Sequence, residues 1–154
     1  MRKYFRNTFF AFFVVALVVT FTTPQTGYAE TSKNFEFNVG YRDDGAYATK
    51  SSGKRFEVTF KKPVKYLSFA AVLDDYSKKE LPLKLYFRIE EKLDNGRTHI
   101  FKDKKIKFSY IGERDSSEGY TQTIDPGTYY VYVSRRDGSV HPIEGNGYFY
   151  YDYE

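Results

Sequence analysis

From Phe35 onward, apolar and aromatic side chains recur at every second position, in short runs closed by glycine, proline, asparagine or aspartate. That period sends alternate residues to opposite faces of an extended chain, and no stretch shows the spacing of an amphipathic helix. "RFEVTF" (55–60) sets Phe56, Val58 and Phe60 on one side. "LKLYFRIEE" (83–91) sets Leu83, Leu85, Phe87 and Ile89 against Lys84, Tyr86, Arg88 and Glu90. "KIKFSY" (105–110) alternates Ile106, Phe108 and Tyr110 with Lys105, Lys107 and Ser109. "KYLSFAAVL" (65–73) is more continuously apolar, as a central strand should be. "FEFNVGY", "RTHIFKD", "YTQTI", "TYYVYVSR" and "GYFYYDY" bring the total to eight or nine strands. The expected fold is all-β: a single antiparallel β-sandwich, jelly-roll-like, over residues 30–154, with a closed barrel as the alternative. "ETSK" reads as a loose start, and Asp74 or Asp75 in "LDDYSKKEL" is placed to cap one short helical turn.

The turns carry their own chemistry. Asn95-Gly96 and Asp137-Gly138 are hairpin pairs, since both residue types tolerate positive φ. Asp125-Pro126-Gly127 suits a type II turn, with Pro126 fixing φ and Gly127 accepting the positive φ that follows. Beyond it, Tyr129, Val131 and Val133 oppose Tyr130, Tyr132 and Ser134, while Phe149, Tyr151 and Tyr153 oppose Tyr148, Tyr150 and Asp152. Tyrosine favours strands and pairs well across them, so these two segments are expected to form a final strand pair.

The segment "IDPGTYYVYVSRRDGSV…GNGYFYYDY" resembles the closing strands of the bacterial pre-peptidase C-terminal domain. Gly127, Tyr129, Val131 and Val133 match that family's first closing strand, and Gly147-Tyr148 its second. The resemblance covers about thirty residues, a span of strand, turn and strand. It implies a β-sandwich and a non-catalytic role, since members are mostly appendages of secreted enzymes.

The N-terminus reads as a cleaved signal peptide over residues 1–29. Arg2, Lys3 and Arg6 precede the apolar run "FFAFFVVALVVTF", and Gly27 and Ala29 fit the cleavage rule. At about 1.5 Å per residue that run reaches only about 20 Å, short of the roughly 30 Å of a bilayer core. The expectation is a secreted bacterial protein with no stable membrane insertion after cleavage. Removing the three basic residues of the leader leaves 21 Lys and Arg against 20 Asp and Glu. So balanced a chain argues against nucleic acid as a partner, because polyanion binding needs clustered excess positive charge. The chain has no cysteine, which rules out thiolate chemistry and disulfides.

Catalytic signals are missing from the sequence. The two histidines, His99 and His141, stand far apart, and no serine-elbow, zinc-protease or phosphate-loop motif occurs. Glu90-Glu91, Asp74-Asp75 and Asp43-Asp44 are adjacent acids; on a strand neighbours point to opposite faces, so Glu90 and Glu91 cannot work together across a cleft, and these acids read as solvated turns and strand ends. The expectation is no enzyme, no catalytic residues and no metal ligands. "YRDDGAY" and "LDNG" offer acidic turns to calcium, with fewer oxygens than its usual six to eight.

What remains points to binding. All but Tyr4 and Tyr28 of the 16 tyrosines fall after residue 29, and there is no tryptophan. Tyr86, Tyr130, Tyr132, Tyr148 and Tyr150 are predicted to face outward as an aromatic binding face. The run "FKDKKIKF" offers Lys102, Lys104, Lys105 and Lys107 as a basic patch for an anionic envelope polymer or lipid head groups, or as lysines that keep a strand edge from aggregating. The predicted function is a binding or interaction module whose partner is a protein or cell-envelope polymer. The alternatives are a secreted effector (toxin, inhibitor or immunity-type protein) and, behind it, a small hydrolase. Assembly into a surface layer through the aromatic final strand is a further reading.

Overall fold

Leu83, Leu85, Phe87 and Ile89 are all buried and the residues between them, Lys84, Tyr86 and Arg88, are not, so the period-two reading of this segment holds in the folded chain. The structure is a computed structural model that describes residues 31–77 and 81–154. The described residues form ten strands: β1 (Thr31–Val39), β2 (Gly45–Tyr47), β3 (Glu57–Phe60), β4 (Val64–Tyr76), β5 (Leu83–Lys92), β6 (Thr98–Ile100), β7 (Lys104–Phe108), β8 (Arg114–Ser116), β9 (Gly127–Arg135) and β10 (Ile143–Tyr153). They form two antiparallel sheets. One has the order β1-β10-β4-β8; the other has the order β2-β9-β5-β6, with β3 also on β9 and β7 also on β5.

This is a jelly roll. β2 and β3 both pair with β9, and β6 and β7 both pair with β5, so each couple is one interrupted strand. Counted that way, the first of eight strands lies beside the last, the second beside the seventh, the third beside the sixth and the fourth beside the fifth. Two layers, rather than a closed barrel, enclose one core. Phe35, Phe37, Leu67, Phe69 and Phe149 of the four-stranded sheet meet Phe60, Phe87, Tyr129, Val131 and Val133 of the other. Several rings touch edge to face, as at Phe37–Phe87 and Phe56–Phe149, the arrangement their quadrupoles favour. Phe35 lies directly over Gly147, where any Cβ would collide with its ring.

Several expectations are corrected. β9 and β10 are not partners: they are central strands of opposite sheets, and "RRDGS" is a crossover between layers. A strand buried on one face and central in its sheet offers no free edge, so the final strand cannot extend a layer by strand addition. Thr31–Lys33 of the supposed loose start pair with β10. Asp74 and Asp75 sit in β4 and cap no helix, because pairing with β10 continues to Tyr76; residues 78–80 of that segment, and the leader, lie outside the described residues. "YTQTI" makes only isolated bridges at Tyr120 and Ile124, and the strand beside β4 is Arg114–Ser116 instead. Gly127 does not adopt positive φ; it opens β9 opposite Phe60. At the β5–β6 turn, Gly96 N–H donates to Leu93 C=O, so Asp94 and Asn95 are the central pair and Gly96 (φ 76°) is the left-handed residue after them.

One end of the sandwich is tied by a charge. Arg135 points inward from β9 with a fully buried side chain, and its guanidinium donates to both Asp137 carboxylate oxygens (2.7 and 2.9 Å) and to the His141 carbonyl. Tyr76 Oη donates to the same carboxylate at 3.0 Å. Burial pushes the Asp137 carboxyl up, but the bonds from Arg135, Ser139 N–H and Tyr76 outweigh it and hold it at about 2. The clamp joins β4, β9 and the crossover, and so fixes one sheet against the other.

Candidate functional site

Alternation along β9 and β5 places Tyr130, Tyr132, Tyr86, Arg88 and Glu90 on the outer face of the six-stranded sheet. Cross-strand register then brings Tyr132 beside Arg88 and Tyr47, and Tyr130 beside Glu90 and Glu57. The result is an interlocked lattice. Tyr47 meets Tyr132 edge to face at 5.1 Å and Tyr130 at 6.1 Å. The Arg55 guanidinium lies 4.0 Å from the centre of the Tyr47 ring, Arg88 lies 4.3 Å from Tyr132, and Arg136 lies 4.1 Å from Tyr86.

Two carboxylates knit the cations together. Glu90 is 2% exposed although it faces outward, because Tyr47 and Arg88 close over it. Tyr47 Oη donates to Glu90 Oε2 at 2.6 Å, and Arg88 Nε donates to Oε1 at 2.7 Å. The Glu90 bond, then burial, raises the Tyr47 hydroxyl above its ordinary value. Asp103 takes Arg88 at 3.6 Å and pairs with Arg136. Tyr47, Arg55, Arg88, Glu90 and Arg136 were not singled out in the sequence. The Arg88-x-Glu90 spacing on one strand face was the available signal; Tyr47, in a three-residue strand, had none.

The five predicted tyrosines do not share a face. Tyr148 and Tyr150 lie on the outside of the four-stranded sheet, with Arg114 across from them. Arg114 donates to Tyr150 Oη and lies 5.2 Å from the Tyr148 ring centre. With Ser68, Ala70, Asp115 and Ser116, Arg114 and Tyr150 line a shallow depression of about 410 Å³.

The basic run also divides. Lys105 and Lys107 are exposed beside Tyr86 and Lys84. Lys104 turns the other way, donating to the Gly119 carbonyl at 2.7 Å with its ammonium 4.7 Å from the Tyr120 ring centre. Lys102 is exposed, and its carbonyl accepts from Tyr120 Oη. β6 and β7 run one after the other along β5.

The histidines have separate partners. His99 Nδ1 is 3.3 Å from Glu91, and its ring packs on Phe101. His141 lends its carbonyl to Arg135. His99 is opposite Glu91 and Arg135 opposite Leu85, so the two sites stand about 20 Å apart along β5 at the usual strand rise. Glu90 and Glu91 turn to different partners, as neighbours on a strand must. Among the described residues, no three His, Cys, Asp or Glu gather where they could hold a metal ion.

No family model and no curated protein matches the chain. Among solved structures it is similar to Eiger TNF from S. frugiperda (12% identity, TM-score 0.42, covering 81% of this chain and 95% of that one). It is also similar to the CBM22-1 xylan-binding domain of Paenibacillus barcinonensis Xyn10C (10% identity, TM-score 0.42, covering 84% and 99%). A chain of infectious bursal disease virus, Gx strain, is similar over 79% of this chain and 32% of its own (9% identity, TM-score 0.37). Likenesses this distant carry no argument about ligands; the fold rests on the strand pairings above.

Proposed function

We propose that the protein is an exported, non-catalytic bacterial binding module that takes an acidic partner, an anionic polymer of the cell envelope, on the open face of its six-stranded sheet. The observation that carries this reading is the lattice of Tyr47, Tyr130, Tyr132 and Tyr86 interleaved with Arg55, Arg88 and Arg136. Tyrosine and arginine are the residues that dominate binding hot spots, and side chains already locked lose little entropy on docking. Lys84, Lys105 and Lys107 add positive charge at one end of the face. Export is supported by the basic and apolar N-terminal run, and a binding role by histidines already committed to separate partners.

The test is retention of residues 30–154 on purified sacculi and whole cells at low and high salt. Retention is expected, weaker in salt, and reduced about tenfold or more by Tyr130→Ala with Tyr132→Ala, a loss of at least about 1.4 kcal/mol. Tyr148→Ala with Tyr150→Ala should leave it unchanged. No retention, or equal loss from both pairs, would overturn the reading and leave a soluble secreted effector in its place.

A further inference from the structure

Among the described residues, the two outer faces carry opposite charge. On the four-stranded sheet, Glu36, Asp74, Asp75, Glu144 and Asp152 outnumber Lys65 and Arg114. On the six-stranded sheet, Arg55, Lys84, Arg88, Lys105, Lys107 and Arg136 outnumber Glu57, Glu90 and Asp103. Each face also carries tyrosines at its centre, as interfaces do.

Two cross-strand pairs sharpen the contrast. Asp75 of β4 is directly opposite Glu144 of β10, both exposed and facing outward. Lys84 of β5 is directly opposite Lys107 of β7, also exposed and facing outward. Like charges in that relation destabilise a sheet. The two pairs stand at the same end of the sandwich, since Tyr76, next to Asp75, lines one hollow together with Lys84. A second copy displaced along the sheet normal therefore brings its acidic pair to the same end of the contact as the lysine pair of the first.

We infer that the acidic partner best fitted to the six-stranded face is the four-stranded face of another copy of this chain, so that molecules stack head to tail. The inference rests on reading the six-stranded face as a docking surface. Such a contact is heterologous: each copy keeps one free face of each kind, and the stack grows without closing.

The test is the mass of the purified protein in solution, by sedimentation or light scattering, against concentration and salt. The average mass should rise above that of one chain with concentration at low salt and return to it at high salt. Lys84→Gln with Lys107→Gln, and separately Asp75→Asn with Glu144→Gln, should each stay monomeric. Both remove a repulsion, so both should fold. Mixed, the two variants should form a closed one-to-one dimer, because each retains the face the other lacks. A wild-type monomer throughout, growth that ignores salt, or growth undiminished in either variant would overturn the inference. If stacking fails while sacculi still retain the protein, the proposed function stands without it; if stacking holds and sacculi retain nothing, the proposed function falls and the stacking stands without it.

Discussion

Tyr130 and Tyr132 on β9 and Tyr148 and Tyr150 on β10 occupy equivalent outward positions on central strands of the two sheets, and they differ in what stands beside them. Around the β9 pair, Arg88 is held by Glu90 and Asp103, and Glu90 in turn takes the Tyr47 hydroxyl. Around the β10 pair, Arg114 has tyrosines as its partners and, among the described residues, no ion pair with a carboxylate. Small neighbours, Ser68 and Ala70, leave a hollow there. Identical side chains at identical spacing thus yield a locked polar-aromatic lattice on one face and an open depression on the other. The deciding factor is whether a buried carboxylate anchors the cations.

That contrast can be strained at three points. The largest effect is expected where the two faces are tied together. Asp137→Asn leaves the buried Arg135 guanidinium without its counter-charge and should cost about 3 kcal/mol or more in urea unfolding. Because the Asp137 carboxyl titrates at about 2 when folded against 3.8 ordinarily, its contribution is complete above about pH 4 and lost as pH falls through about 2. The variant should lack that part of the acid limb, and an unchanged limb would show that the clamp does not couple the sheets.

A single chemical change made on both faces comes next. Arg88→Ala strips Glu90 of a charged hydrogen-bond partner and should cost about 2 kcal/mol. Arg114→Ala removes an exposed side chain and should stay within about 0.5 kcal/mol. Equal costs in the same denaturant melts would erase the distinction between locked and open. The smallest effect separates ring from hydroxyl. Tyr47→Phe keeps the edge-to-face contacts and loses only the bond to Glu90, for about 1 kcal/mol. Absorbance titration should then lose one tyrosine that ionises above the ordinary range. If the raised titration persists, the Glu90 bond is not its source.

Much of the fold was legible because burial follows period two. Phe56, Val58 and Phe60, or Tyr129, Val131 and Val133, announce an inner face wherever they lie in the sheet order. The candidate site was legible only in pieces. Tyr130 and Tyr132 could be placed facing outward from β9 alone, and Tyr86, Arg88 and Glu90 from β5 alone, but not beside one another. Tyr47 and Arg55 could not, because they come from a three-residue strand and the segment leading into β3. Lys104 was misplaced for a related reason: at the break between β6 and β7 the alternation restarts, and the ammonium turns to the Gly119 carbonyl.

The sequence by itself determined which side of each strand is buried, since that depends only on the alternation of neighbours along the chain. It also determined that Glu90 and Glu91, neighbours on an unbroken stretch of strand, turn to different sides. Which strands lie side by side was decided by tertiary structure alone, because long connections let β9 and β10 join either the same sheet or opposite ones at similar local energy. That choice sent Tyr130 and Tyr132 to one surface and Tyr148 and Tyr150 to the other. It also segregated a nearly balanced charge onto two opposed faces, which no count along the chain contains.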